Sequence, residues 1–322
     1  MIYLLSQPAN LYYAWQTEVL LNNMIEVGVN LSDVHIVCSG EPTKEWNKLK
    51  ERYQANFFFY PFSANSSYPS IARPNALKQH YRQFPALNNI PALYIDCDIL
   101  FLSEPSKWLK SLLEDDIYYL SDTKWYTGYS YLKSKEACVS MNKEDYDTDR
   151  ILGELCNRVG IPLQTVKEND DHSGGAQYLF KGIDAAFWED VEKDCDTIYK
   201  YFYFNSPGSI NSRYFNSESE GFQSFALGDM LAVLWNLWKR GKTTRIAKEM
   251  DFAWPGYSLE DKDRFNIYHN AGVSNDEDGL FYKGRYKRRI PYFESFEHLS
   301  QNRLSWLYAS KIQNMKTKTC LI

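Results

Sequence analysis

The feature that most restricts the fold is a regular alternation in the first third of the chain. Residues 2–6, 34–38, 57–60, 91–96 and 117–120 are short apolar runs bounded by polar or turn residues. Helical segments lie between them. Asn10 can cap a helix to about Val27, with Gly28 as its stop. A second helix runs from Pro42 to near Gln54, a third from Arg73 to Phe84 with Pro74 in its first turn, and a fourth from Pro105. Strands that are apolar throughout, alternating with helices, imply a mostly parallel sheet covered on both faces. Ligands of such sheets bind beyond the carboxyl ends of the strands.

The second half is less regular. Residues 142–150 are polar and read as a surface loop, and 205–221 are rich in turn residues. A strong helix covers about 222–240 and stops at Gly241. No linker or repeat divides the 322 residues, so a single domain over 1–322 with a divergent C-terminal half is expected.

Apolar residues make up 44% and charged residues 24% of the chain, which implies a buried core rather than disorder. Aromatic content is 16%; this suits a site that stacks flat rings, and equally a bulky core. The net charge of −5 gives no general attraction to nucleic acid or membrane. The six cysteines show no CxxC pair and no zinc spacing, so free buried thiols in a reducing compartment are expected. The N-terminus reads as a strand rather than a signal peptide, and no stretch approaches a membrane span. Together these lead to the expectation of a cytoplasmic protein.

Asp96-Cys97-Asp98 closes the run Pro91-Ala92-Leu93-Tyr94-Ile95. On a strand, alternate side chains share a face, which would set the two carboxylates side by side. They repel unless a cation lies between them, and the simplest is a hard divalent ion, Mg²⁺ or Mn²⁺, which commonly brings a phosphate ligand. The alternative is a solvated turn. Cys97 should face the other way, into the core.

Other segments carry weaker signals, each with a plain structural reading beside it. Arg73 and Lys78 stand at the start of the third helix, where they can hold a phosphate or a sugar oxygen, or simply face water. Asp171-His172-Ser173-Gly174-Gly175-Ala176-Gln177 reads as a glycine turn before a strand. Gly174 and Gly175 let backbone approach a ligand, and Gln177 can bond a sugar hydroxyl. Asp229 sits in an apolar helix, where burial without a partner is costly, so it faces solvent or serves a site. His269 could complete a metal sphere begun by Asp98, and Lys283 could meet a diphosphate as a point charge. Lys283, Arg285, Lys287, Arg288 and Arg289 form the densest basic run: a solvated face, a phosphate grip or a contact to a nucleic-acid backbone.

In this pattern the chain resembles the GT-A glycosyltransferases, metal-dependent enzymes that use nucleotide sugars. Asp96-x-Asp98 is similar to their DxD motif, and His269-x-x-Gly272 with Lys283 is similar to the HxxGxxK element of the glycogenin-type retaining branch. The His-to-Lys spacing is longer here than in that element. Tyr13-Ala14-Trp15-Gln16 and Arg73-Pro74 also resemble segments of the hydroxyproline arabinosyltransferase and peptidyl-serine galactosyltransferase group. That group is membrane-anchored, so a soluble viral or bacterial relative fits better, such as the phage enzymes that glycosylate hydroxylated cytosine in DNA.

The resemblance implies a GT-A-like, Rossmann-like α/β fold. Residues 1–125 would be the nucleotide-sugar-binding half and 126–322 the acceptor-binding half. It implies Asp96, Asp98 and His269 as ligands of Mn²⁺ or Mg²⁺. Arg73, Lys78, Asp96, Lys283, Gly174 and Gly175 would surround the donor, and Gln177, Asp229 and Asp171 would lie at the sugar–acceptor face. The donor would be a nucleoside-diphosphate sugar, UDP-linked, and the acceptor a hydroxyl of DNA, protein or glycan. An inverting enzyme would need a carboxylate base, for which Asp229 and Asp171 are candidates; the His-x-x-Gly element leans towards retention. If viral, the enzyme would work in the host cytoplasm. The rivals are a metal-dependent nucleotidyltransferase, which would usually carry a glycine-rich loop where Ser6-Gln7-Pro8-Ala9-Asn10 has none, and a carbohydrate-binding protein without catalysis.

Overall fold

The computed structural model describes residues 1–66, 68–139, 144, 147–205, 222, 224–275 and 278–322. Ten strands follow in chain order: β1 (Ile2–Pro8), β2 (Val34–Ser39), β3 (Asn56–Tyr60), β4 (Ala92–Ile95), β5 (Ile99–Phe101), β6 (Tyr118–Asp122), β7 (Gly174–Phe180), β8 (Thr244–Ile246), β9 (Phe252–Ala253) and β10 (Ile267–His269). The result is a mixed α/β chain with a mostly parallel sheet flanked by helices, as the alternation implies. It divides into two compact units.

The first unit comprises Met1–Phe62, Ile90–Asp115 and Glu249–Ile322. Its main sheet has the order β3-β2-β1-β4, with every pair parallel. Parallel neighbours need crossovers, and the helices Leu11–Glu26 and Lys44–Arg52 supply them. The first is capped as its sequence predicts: the Asn10 side chain accepts from Tyr13 N, and Gly28 follows with φ +84°. Trp15, Leu20, Met24, Leu4, Ile36 and Ile95 pack the core.

A small sheet of order β5-β10-β9 completes this unit, with β10 antiparallel to β5 and parallel to β9. It modifies the expected strand of 91–96. That strand stops at Ile95, and Asp96, Cys97 and Asp98 form a turn into β5. The chain has to leave the parallel sheet here to pair with β10. Asn23, on the first helix, holds β5 as a neighbouring strand would: its Nδ2 donates to Phe101 O at 3.0 Å, and Phe101 N donates to its Oδ1 at 2.7 Å.

The second unit comprises Ser63–Asn89 and Asp116–Lys248. Here β6 pairs antiparallel with β7 and parallel with β8. The glycines expected as a turn before a strand lie inside β7. A Cβ on Gly174 would stand 2.5 Å from Ser121 O, so only glycine allows this approach to β6. Ala176, with φ +65°, marks the register shift opposite Leu120 and Ser121.

The helix Ala185–Phe204, which the irregular look of the second half hides, buries Phe187, Trp188, Val191, Ile198 and Phe202. Asp184 caps it by accepting from Phe187 N. The helix expected from 222 is described as Ser224–Lys239. Most of the turn-rich stretch 205–221 lies outside the described residues, as does much of 142–150. Asp149 corrects the surface-loop reading for its end. It is buried at φ +52° and accepts from Tyr129 Oη (2.9 Å), Lys133 Nζ (2.5 Å) and Lys167 Nζ (2.6 Å).

Candidate metal centre

The register of the small sheet builds the site. His269, the last residue of β10, lies opposite Ile99, and Asn270 N donates to Asp98 O at 2.9 Å. This pairing brings the imidazole to the turn that carries the two acids. His269 Nε2 lies 3.4 Å from Asp96 Oδ2 and 3.4 Å from Asp98 Oδ1. Asp96, Asp98 and His269 each offer one ligand atom, all within 4.8 Å of one another. The Phe252 ring, 5.1 Å away and edge-on, fixes the imidazole plane.

Lys283 arrives from a short 3-10 turn, Lys283–Tyr286, and pairs with Asp98 Oδ2. The turn is held by the aromatic cluster below it. Trp15 Nε1 donates to Tyr286 O at 3.2 Å, and Phe281 stacks on Tyr286. Gly272 has φ +79°, and a Cβ there would stand 3.2 Å from the Trp254 ring. The His-x-x-Gly spacing thus reflects a backbone that turns left-handed soon after the strand that carries His269.

The electrostatics agree with the geometry. Burial would raise the Asp98 carboxyl, but Lys283 and His269 beside it hold it well below the usual carboxylate range. Burial would lower His269, yet Asp98 and Asp96 outweigh it and lift the imidazole to about 9. Burial and then the Asp98 charge push Tyr12, on the first helix, far above its ordinary value.

Two carboxylates and one imidazole are oxygen and nitrogen donors that suit Mn²⁺ or Mg²⁺. A metal would displace the proton that His269 otherwise holds; with the imidazole neutral, Asp96 and Asp98 outnumber the one ammonium of Lys283, which suits a cation. The donor set therefore fits a divalent ion. Asn270 adds a group that sequence reading passed over, although it stands next to His269. Its Oδ1 accepts from Tyr268 Oη at 2.8 Å, and its buried Nδ2 has no partner among the described residues. Cys97 is buried, as expected.

The remaining candidates lie in the second unit and form their own contacts. Asp229 accepts from Tyr68 Oη at 3.0 Å and from Arg73 at 3.4 Å. Lys78 pairs with Glu192. Gln177 is fully buried, and its Oε1 accepts from Ser121 Oγ at 2.6 Å. Asp171 is exposed and pairs with Lys124. Gly174 and Gly175 meet protein: beyond the β6 contact, a Cβ on Gly175 would reach Met230 at 2.6 Å. In the first unit, the basic run beyond Lys283 is exposed, with Arg289 paired to Glu294 at 3.0 Å.

No protein-family model and no curated protein matches this chain. Solved structures give similarity at low identity. The bifunctional glycosyltransferase WbbM, in its apo form, matches with a TM-score of 0.47 and 10% identity, over 99% of this chain and 50% of its own. This chain thus spans half the length of that one. The galactosyltransferase LgtC, in complex with donor and acceptor sugar analogues, matches with a TM-score of 0.44 and 10% identity, over 99% of this chain and 100% of its own. S. aureus TarS 1-349 with UDP-GlcNAc matches with a TM-score of 0.27 and 20% identity, over 38% of this chain and 34% of its own. Among the described residues, no helix is long and apolar enough to cross a membrane.

Proposed function

We propose that this chain is a metal-dependent glycosyltransferase that moves a sugar from a nucleoside-diphosphate donor, UDP-linked, to a hydroxyl of DNA, protein or glycan. The observation that carries the reading is the convergence of Asp96, Asp98 and His269 within 4.8 Å, with Lys283 against Asp98. Asp96, Asp98 and His269 would hold Mn²⁺ or Mg²⁺. Such an ion supplies positive charge for the diphosphate that departs with the bond to the sugar. Lys283 adds a fixed ammonium for the same phosphate oxygens, in a setting dry enough for that charge to act strongly. Asp96, the more exposed of the two acids, also reaches the ribose. Asn270 Nδ2 offers a further hydrogen bond to the bound donor. Asp229, held by Tyr68 and Arg73, and Gln177 are the residues proposed for the sugar or acceptor.

Thermal melting against a panel of nucleotide sugars, with Mn²⁺ or with EDTA, tests this. A ligand at ~100 times its dissociation constant adds about 2.7 kcal/mol. One sugar nucleotide is expected to stabilise the wild type only with metal, and Asp98→Asn not at all. Equal melting of both proteins under every condition would remove the reading. Release of pyrophosphate rather than a nucleoside diphosphate would transfer the site to nucleotidyl chemistry.

A further inference from the structure

Within the first unit, a concavity of about 770 Å³ opens on the surface. One wall is the short 3-10 helix Leu259–Arg264 with Ser258 before it. The other is the helix Leu304–Asn314, which contributes Trp306, Leu307 and Ser310, with Asn302 at its approach. The walls are tied by backbone. Leu259 N donates to Asn302 O at 2.8 Å, Leu304 N to Tyr257 O at 2.9 Å, and Ser305 N to Pro255 O at 3.0 Å. Arg303 Nη1 adds a bond to Gly256 O at 2.7 Å. The groove is therefore formed before any ligand arrives.

Its lining has a definite chemistry. The side chains of Glu260, Lys262 and Asn302 are exposed to water, Trp306 is half-buried, and none of the four makes a side-chain hydrogen bond or ion pair to protein among the described residues. Glu260 and Lys262 cancel in charge, so neither an anion nor a cation is favoured. A purely apolar ligand would strip water from four polar groups and return no hydrogen bond. An uncharged molecule with one apolar face and a rim of hydroxyls complements an indole, a carboxylate, an ammonium and an amide together. At about 770 Å³ the space is within the range of small-molecule sites.

We infer that this groove binds a neutral saccharide, with a pyranose ring against Trp306 and its hydroxyls on Glu260, Lys262 and Asn302. The inference does not rest on the transferase reading. It places a sugar site apart from Asp96, Asp98 and His269, none of which lines the groove. The turn that forms one wall runs into β10, whose last residue is His269, so the two sites share a continuous piece of chain.

The full chain labelled with ¹⁵N at its nine indoles can be titrated with methyl β-galactoside, methyl α-glucoside and N-acetylglucosamine, in EDTA and without nucleotide. The Trp306 signal is assigned by its loss in Trp306→Phe. At least one saccharide is expected to shift that signal, both in the wild type and in Asp98→Asn. Trp306→Ala should weaken binding about tenfold and Asn302→Ala about threefold in calorimetry. Asn302 is exposed, so its variant carries the test if Trp306→Ala does not fold. The inference is overturned if no saccharide moves the signal, or if binding vanishes in Asp98→Asn. It is equally overturned if inorganic phosphate shifts the signal as strongly as a sugar does. Saccharide binding in Asp98→Asn without any metal-dependent donor binding would support the groove while testing the donor site separately.

Discussion

Each unit of this chain buries a cluster of charge, and the two are built on opposite plans. In the second unit, Asp149 spends both oxygens on protein donors: Tyr129 and Lys133 on Oδ1, Lys167 on Oδ2. Glu136 lies beside them, 3.8 Å from Lys133, and accepts from Ile151 N at 2.7 Å. Two acids meet two lysines, and the cluster is closed. In the first unit, Asp96 and Asp98 face one lysine and an imidazole that metal binding requires to be neutral. Without a metal, the proton that His269 holds up to about 9 balances the second acid; a cation would take that proton's place. A buried acid therefore says little alone; what matters is whether the protein itself completes its charge.

Neutralising one member of each cluster gives the sharpest separation. Asp98→Asn should lower transfer activity about a thousandfold, equivalent to roughly 4 kcal/mol of lost transition-state stabilisation. Steady-state rates with saturating Mn²⁺ check this, and a drop of less than tenfold would place the metal elsewhere. Asp149→Ala should instead cost about 3 kcal/mol of stability in urea unfolding, since it leaves Lys133 and Lys167 without their shared acid. The half-exposed Lys167 keeps the cost from being larger. Metal-dependent stabilisation should survive in that variant. If it were lost too, the contrast between the clusters would collapse.

The same acid gives a pH signature. Burial would raise the Asp149 carboxyl, but hydrogen bonds from Lys133, Lys167 and Tyr129 hold it below its ordinary value. A carboxyl lowered on folding adds stability above its unfolded value, near 4, and loses it as pH falls through the folded value. Wild-type stability should therefore fall in acid, and Asp149→Asn should show a shallower fall over that window. Identical slopes would mean the cluster is not closed in solution.

Gly272→Ala should produce the smallest effect, a loss of about 1–2 kcal/mol, from placing a side chain at φ +79°. Calorimetric melting measures it. A neutral result would show that the backbone after His269 is free to relax.

The two clusters were not equally visible in the sequence. Asp96 and Asp98 stand out because a short apolar run leads into them, and the run is real although the strand stops at Ile95. Asp149 was hidden because 142–150 is uniformly polar, and its partners at 129, 133, 136 and 167 follow no single period. The parallel strands were legible because continuous apolar runs with capped helices between them have few other uses. Lys283 illustrates the limit of spacing arguments. Its distance from His269 departs from the familiar element, yet the Trp15–Tyr286 anchor carries it to Asp98. The helix Ala185–Phe204 was missed because acids and lysines interrupt its apolar face, although Asp184 is a clear cap.

The separation of Lys283 from Asp98, 185 residues along the chain, also orders events during synthesis. The acids leave the ribosome first, while His269 follows 171 residues later, about 10–35 s at ordinary elongation rates. Until then the nascent chain holds two neighbouring carboxylates with neither imidazole nor ammonium beside them. Completing the small sheet is thus the step that ends their repulsion, and it cannot occur before β10 has been made.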